Sequence, residues 1–504
     1  MENIVFKELA QDKEVRQRLI TLKSMQKDEK NREAVNGAIC QQWRELSGLL
    51  NHEDAKVRKN AALLLGEAGV QDSVDALGQA YVSENTLFVR PAYLTALGQL
   101  DYRKYTDVFE KRLEELNQME ILVSESKHLN EERHLLSELL DLAGGSGHHE
   151  FSKKISSKVI LAVRRGMEAI VYEELKSCFP KSSFKKMNGG IMAETGNVEG
   201  LFKVRTWQTI LFVFCKKNGF AKDGAQIAQG IMDSDPLSYL SLRHAGQGIW
   251  RFRVDVRTHD DGAQKAALAK KTAFALEALG GGQFLNSISD YEIEFVLMEG
   301  KDGRIFAYLR LHTLKDHRFD YRKNFIAASM NPVSAAQMIA VCRPYFKENA
   351  NVLDPFCGVG TLLIERKLWG DSYPEKRIRA LYGLDIFKTA VDFGRENAAH
   401  KNCRVNFIQR DFFDFSHGYL FDEIITDTPE NFKSEPDRKA FFERFLKKAT
   451  DHLAPWGRIF IFTRSAPAIR EALRNTEGFE TLLCRPFSEK SKSWIMILQA
   501  SRKQ

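Results

Sequence analysis

Hydrophobic and polar positions change period twice along this chain. Over about the first 142 residues apolar side chains recur at helical spacing, with few glycines and one proline, Pro91, which predicts packed amphipathic helices. Residues 54–66 are echoed by 86–98: Val57/Val89, Arg58/Arg90, Leu65/Leu97 and Gly66/Gly98 recur at a spacing of 32. A Val-Arg opening and a Leu-Gly close at that period predict a solenoid, in which each helix pair buries its apolar face against the next. Gly144, Gly145 and Gly147 then break the pattern and mark a linker, 143–156, in which His148 and His149 are expected to be solvated, since no partner ligand for a metal lies nearby. From residue 157 strands alternate with helices. Val159–Val163, Ile191–Glu194, Ile210–Cys215 and Trp250–Thr258 read as strands, and Gly166–Phe179, Asn197–Thr206 and Ala263–Leu279 as helices. Tyr291–Met298 and Ile305–Leu311 flank Glu299-Gly-Lys-Asp-Gly303, a hairpin signal, and close an α+β region at 313. A second linker, 314–330, precedes a repeated strand–helix pattern over 331–504, the signature of an α/β, Rossmann-like sheet.

At 504 residues the chain has room for about three or four domains. A hydrophobic fraction of 43% excludes a disordered or collagen-like protein, and no apolar run approaches the roughly 18 residues that predict a spanning helix. The seven cysteines are scattered without a C-x-x-C pair, so no metal site is expected, and reduced thiols point to a cytoplasmic protein. The net charge of +7 is modest until it is apportioned. Residues 151–330 hold 28 lysines and arginines against 19 acids, a balance of +9, which leaves −2 for the rest. The excess therefore sits in the α+β region, where Lys270, Lys271, Arg318, Arg322 and Lys323 are candidate contacts to RNA phosphates.

The strongest chemical signal is Asn351-Val-Leu-Asp354-Pro-Phe356-Cys-Gly358-Val-Gly360-Thr361, a strand, a glycine turn and a helix start. Glycines there let a ligand approach the backbone at the carboxyl edge of a parallel sheet. The Gly-Lys-Ser/Thr of a phosphate loop is absent, and Leu363 replaces the third glycine of a dinucleotide fingerprint. Two further strands also end in acids, Leu381–Asp385 and Val405–Asp411. Asp385, followed by Ile386, is placed to accept hydrogen bonds from both ribose hydroxyls. Asp411 is placed to take an exocyclic adenine amine, with Phe412 packing on that ring.

Three acids closing successive strands behind a glycine loop resemble a class I S-adenosylmethionine methyltransferase. More narrowly, Asp354 to Glu365 is similar to the cofactor loop of the THUMP-containing RNA guanine-N2 methyltransferases, and Val163 to Leu175 with Asp290 to Val296 resembles their THUMP region. The 54–98 echo resembles a HEAT-type repeat. The resemblance implies three parts in order: an all-α HEAT-like solenoid (1–142), a ferredoxin-like plus THUMP α+β module (157–313) and a Rossmann-like methyltransferase domain (331–504). It implies S-adenosyl-L-methionine as cofactor, structured RNA as partner, most often tRNA, and a face on the helical repeats for a protein partner. The resemblance also implies that residues around Asn331 and Pro332 approach the methionine end of the cofactor.

For the reaction, Phe421 to Phe432 resembles the family's fourth strand, in which Asp427 anchors the target amino group and Pro429 follows. Thr428 departs from the pattern, and Glu430 stands where the family has an aromatic; Phe432 lies two residues on. Two readings follow. One is an active methyltransferase forming N2-methylguanosine in tRNA or rRNA. The other is a catalytically impaired protein of the same fold that binds RNA or acts as a scaffold. Cys357 as a nucleophile for carbon-5 pyrimidine methylation is the weaker chemical alternative.

Overall fold

A computed structural model describes residues 14–118, 126–144, 148–152, 155–489 and 491–501. Parts of both the 143–156 linker and the extreme amino terminus lie outside the described residues. The chain divides into two compact units, 1–153 with 212–314 and 154–211 with 315–504.

In the first unit the amino-terminal segment is helical from Val15–Lys27 through Ser126–Ala143. Val57, Leu65, Val89 and Leu97, the repeated apolar positions, are all fully buried in one continuous core. The repeated glycine has a packing role: a Cβ on Gly66 would stand 2.5 Å from the Cα of Ala96, so only glycine lets Ala55–Glu67 meet Arg90–Leu97 this closely. The repeated arginines tie the layers together. Arg58 forms a bidentate pair with Glu84 at 2.8 Å, and Arg90 donates to the buried Glu132 at 3.1 Å. Four strands follow in the order Ile305–Leu311, Ile293–Glu299, Trp250–Arg257, Phe284–Asn286, and the predicted hairpin is present, with Gly303 at φ 75°. The helix Gly262–Leu279 is capped by the Asp261 carboxylate, which accepts from the Gln264 N–H.

His149 corrects one expectation, because its side chain is buried, whereas His148 is exposed as expected. His149 stacks on Trp250 with 3.5 Å between ring centroids, and its Nδ1 lies 3.0 Å from Glu292. His148 Nδ1 accepts from Arg251 at 2.9 Å. With His134–Glu277 at 2.8 Å and Arg251–Asp141 at 3.3 Å, these contacts fasten the last repeat helix to the α+β part.

The second unit begins with antiparallel strands in the order Phe184–Met187, Gly190–Thr195, Ser157–Ala162, with the helix Glu168–Cys178. The helix predicted over Asn197–Thr206 is only a 3-10 segment, Glu199–Lys203. The Asn197 side chain accepts the Gly200 N–H, and the Trp207 indole N–H donates to the Leu201 carbonyl, so local side chains compete with the helical ladder.

The carboxy-terminal sheet has seven strands: Ala350–Asp354, Ile378–Asp385, Asn406–Gln409, Phe421–Asp427, Leu453–Thr463, Phe479–Ser488 and Ser493–Ala500. Numbered in chain order they lie 3-2-1-4-5-7-6, with the first five parallel and the seventh antiparallel to both neighbours. The order reverses between the first and fourth strands, so a ligand crevice belongs at the ends of Asp354 and Asp427. Beneath that crevice Arg366 and Glu423, both 0% exposed, form a bidentate pair at 2.9 and 3.0 Å. The pair joins the helix Thr361–Ser372 to the Phe421–Asp427 strand, and Glu423 also accepts the Lys347 N–H at 2.6 Å. Its neighbour Glu365 pairs with Arg205 at 2.6 and 2.9 Å and takes the Tyr321 hydroxyl at 2.7 Å.

Removing one member of a buried pair strands the other charge in a dry interior. Glu423→Ala is expected to lower stability by about 3–5 kcal/mol, read as a shift in the urea midpoint. A shift equivalent to less than about 1 kcal/mol would mean that the pair does not hold the domain together.

Candidate functional site

The glycine turn is built by two residues in the left-handed region, Gly358 at φ 52° and Gly360 at φ 77°. A Cβ on Gly360 would also strike the Phe407 ring at 2.6 Å, whereas a Cβ on Gly358 would meet only open space. The loop is therefore pressed against the sheet at one glycine and bare at the other. Thr361 starts the following helix, and its hydroxyl is buried without a hydrogen-bond partner among the described residues. An orphaned hydroxyl at a helix amino terminus, beside a bare glycine, is what an acceptor-rich ligand would satisfy.

Asp385 grips the same loop. One carboxylate oxygen accepts the Gly358 N–H at 3.0 Å and the other the Phe387 N–H at 2.9 Å, and the residue is only half-buried. Ile386 and Phe387 follow it at 56% and 64% exposure, an apolar shelf beside a polar acid. Phe387 was not among the sequence candidates; an aromatic two residues after a strand-ending acid is the signal that marks it. Asp411 caps the short turn Phe412–Asp414 through the Phe413 N–H at 2.9 Å.

Asp354 lies fully buried below the loop and accepts the Phe356 N–H at 3.1 Å. Burial raises its carboxyl well above the usual range, and the nearby Asp427 and Asp385 raise it further. Burial likewise pushes Asp427 up to about 7, against a lowering by Arg464, while Glu430 adds to the rise. Both groups end adjacent parallel strands at the topological switch. The crevice is thus lined by carboxyls that resist carrying negative charge together, an arrangement that a cationic ligand relieves.

Of the remaining sequence candidates, Phe412 and Arg318 sit elsewhere than expected. Phe412 is 1% exposed and packs among Phe356, Phe445 and His452, so its ring cannot lie on a ligand. Asn331 caps the helix Pro332–Cys342, accepting the Val333 N–H at 3.0 Å and the Ser334 N–H at 3.3 Å, and Pro332 begins that helix buried. Cys357 is buried and its thiol is pushed well up, which disfavours a thiolate nucleophile. Arg318, expected at a phosphate, is buried instead. Its guanidinium stacks 3.4 Å from the Trp207 centroid, pairs with Asp316 at 2.8 Å and donates to the Trp207 carbonyl at 2.8 Å. Lys270, Lys271 and Lys323 are exposed and Arg322 is half-buried.

The motif after Asp427 has a structural logic of its own. The Thr428 N–H donates to the Phe462 carbonyl at 3.1 Å, and Pro429 is exposed. Glu430 accepts the Arg464 N–H at 2.6 Å, the Ser465 hydroxyl at 2.9 Å and the Thr463 hydroxyl at 3.3 Å. Its carboxylate thereby shapes the turn into the helix Ala466–Arg474 and holds Arg464 near Asp427. Phe432 turns away to pack on Phe441 and Phe442.

Comparison with known proteins bears on the fold and on the matched segments. The chain is 33% identical over 143 residues to the tRNA (guanine(10)-N2)-dimethyltransferase of Methanothermobacter thermautotrophicus, 27% of this chain and 39% of that protein. It therefore spans well under half the length of that curated relative. Among solved structures, TrmN from Thermus thermophilus superposes with a TM-score of 0.52 at 18% identity, covering 70% of this chain and all of that one. SMU.472, solved in complex with SAH, gives 0.50 at 16% identity, over 70% of this chain and 99% of its own. At such identities the likeness concerns the fold. Residues 45–119 match the family of HEAT repeats, and residues 320–483, which hold the glycine loop and the strand-end acids, match the family described as the RMKL-like methyltransferase domain. Residues 320–483 are thus similar to methyltransferase domains of the RMKL-like family, and they follow a stretch similar to HEAT repeats.

Proposed function

We propose that this protein transfers a methyl group from S-adenosyl-L-methionine to the exocyclic N2 of guanine in a structured RNA, with tRNA as the leading substrate. The observation that carries it is the crevice at the strand reversal, where the bare glycine loop, the orphaned Thr361 hydroxyl and the acids Asp354, Asp385 and Asp427 converge. When bound, the cofactor supplies a methyl group activated by a sulfonium. Asp385, Ile386 and Phe387 suit the adenosine, with Asp411 beside them, and Gly358, Gly360 and Thr361 suit the amino-acid end. Asp427 accepts a hydrogen bond from the target amine, turns its lone pair into line and takes up the proton that N2 gives up as the N–C bond forms and the S–C bond breaks, S-adenosyl-L-homocysteine being the leaving product. Catalysis by this chain is then mainly positioning and removal of water.

We read the whole chain as HEAT-like repeats (1–142), a linker (143–156), a ferredoxin-like and THUMP module (157–313), a second linker (314–330) and the methyltransferase domain (331–504). The charge balance and the exposed Lys270, Lys271 and Lys323 support RNA contact, and Arg318 is withdrawn from that set. Among the described residues no helix is long and apolar enough to cross a membrane, in keeping with action in the cytoplasm. The helical repeats offer a face for a protein partner.

Asp427→Ala is expected to abolish transfer of labelled methyl to unmodified tRNA while the cofactor still binds; normal transfer would remove Asp427 from the mechanism. Asp385→Ala should weaken cofactor binding by about 10- to 100-fold in calorimetry, the value of hydrogen bonds to a charged acceptor.

Asp427 also sets a pH dependence. The amine needs an ionised acceptor, so transfer rises through about pH 7 and falls below it. Stability runs the other way. The folded state holds the Asp427 proton more tightly than the unfolded chain, so this residue costs stability as pH rises from its unfolded value toward about 7. Asp427→Asn should therefore be more stable than the parent at pH 8, by at most about 4 kcal/mol, and equal to it near pH 3, as measured by denaturant midpoints.

A further inference from the structure

A base handled by an enzyme outside its helical stack is held between aromatic or apolar faces. The end of the Phe421–Asp427 strand offers the exposed Pro429 for one face but, among the described residues there, no exposed aromatic ring for the other. Glu430 shapes the 463–465 turn, Phe432 packs on Phe441, and Phe412 is buried. Tyr419 and Trp456 are exposed, but Tyr419 precedes the fourth strand and Trp456 lies in the first half of the fifth, toward the edge opposite Asp427. Phe387 adjoins the ribose acid.

Phe325 is placed differently. The N–H and carbonyl of Asn324 are both held by the side chain of Asn397, at 3.0 and 2.9 Å. The same Asn397 nitrogen donates at 3.4 Å to the carbonyl of Val359, between the two loop glycines, so the Asn324 and Val359 carbonyls lie within about 6 Å of one another. Asn397 itself is fully buried. Upstream, the Tyr321 hydroxyl is fixed on Glu365. Downstream, Ile326 and Ser329 close a turn through two bonds of 2.9 Å, just before the Asn331 cap. Between these anchors the Phe325 ring is 67% exposed, with the Arg322 guanidinium 5.7 Å from its centroid. A tethered backbone, a ring left in water and a cation behind it form a stacking platform on the rim of the glycine loop.

We propose that Phe325, backed by Arg322, is the surface on which the target base stacks during methyl transfer, in place of a ring after Asp427. This rests on the methyl-transfer reading above. The test uses the full chain, labelled S-adenosyl-L-methionine and a pool of unmodified tRNA transcripts, with cofactor affinity measured separately by calorimetry. Phe325→Ala should lower transfer at saturating cofactor by about 10- to 100-fold, with the cofactor dissociation constant held within twofold. Phe325→Tyr should stay within about threefold of the parent. Equal transfer by Phe325→Ala and the parent would overturn the platform and leave the reaction standing. Loss of cofactor affinity in Phe325→Ala, or a Phe325→Tyr variant as poor as Phe325→Ala, would assign the ring to the cofactor or to the segment's folding and equally overturn it. A parent protein that binds cofactor but methylates none of the transcripts would remove the reaction, and the platform with it.

Discussion

A guanidinium and a carboxylate with no access to water join the two halves of the crevice. Arg366 stands on the helix that starts at the glycine loop, and Glu423 on the strand that ends at Asp427. Either charge alone would be costly in that interior, and the pair is tolerable only because two aligned hydrogen bonds and the Lys347 N–H satisfy it. Successive residues on a helix point about 100° apart. Glu365 can therefore engage Arg205 and Tyr321 while Arg366 faces the sheet. One turn of helix behind the loop fixes the strand that ends at Asp427 on one side and the segment leading to Phe325 on another. Folding of this domain and assembly of its site are then one event.

The acids above that pair do the opposite. Asp354 and Asp427 lie in a dry crevice with Asp385 near Asp354, and burial lifts both of the first two toward neutrality. Nothing in the packing calls for several carboxyls at one place. They lower stability unless something positive shares the crevice, which is the pattern expected of a site shaped for a ligand. Glu430 fits the same picture. An acid in place of a ring costs the motif its stacking face but gains the 463–465 turn and a nearby Arg464.

Much of this site was legible residue by residue. Asp354, Asp385 and Asp427 each close a strand, the glycine turn follows one, and Asp411 stands two residues past the end of another, at the cap of a short turn; a strand followed by glycine or acid is a local pattern. Arg318 and Phe412 were misjudged for one shared reason. A charge count cannot tell an arginine facing RNA from one stacked on Trp207, and an apolar residue beside an acid looks the same whether it lines a crevice or a core. His149 went wrong likewise: a glycine-rich neighbourhood reads as solvent, yet Trp250, a hundred residues away, covers the ring.

The sequence by itself determined the helical repeats, the strands that carry the crevice, and its acids and glycines, because each depends on spacing within a few turns or a single strand. Only the tertiary structure decided which cations are buried, that Glu430 belongs to a turn, and that Asn397 holds Asn324 beside the loop. Those outcomes depend on partners 30 to 110 residues apart in the chain, and on whether water is excluded where they meet. No local pattern carries that information, since the worth of a charge or a ring is set by the dielectric and the neighbours that folding brings to it.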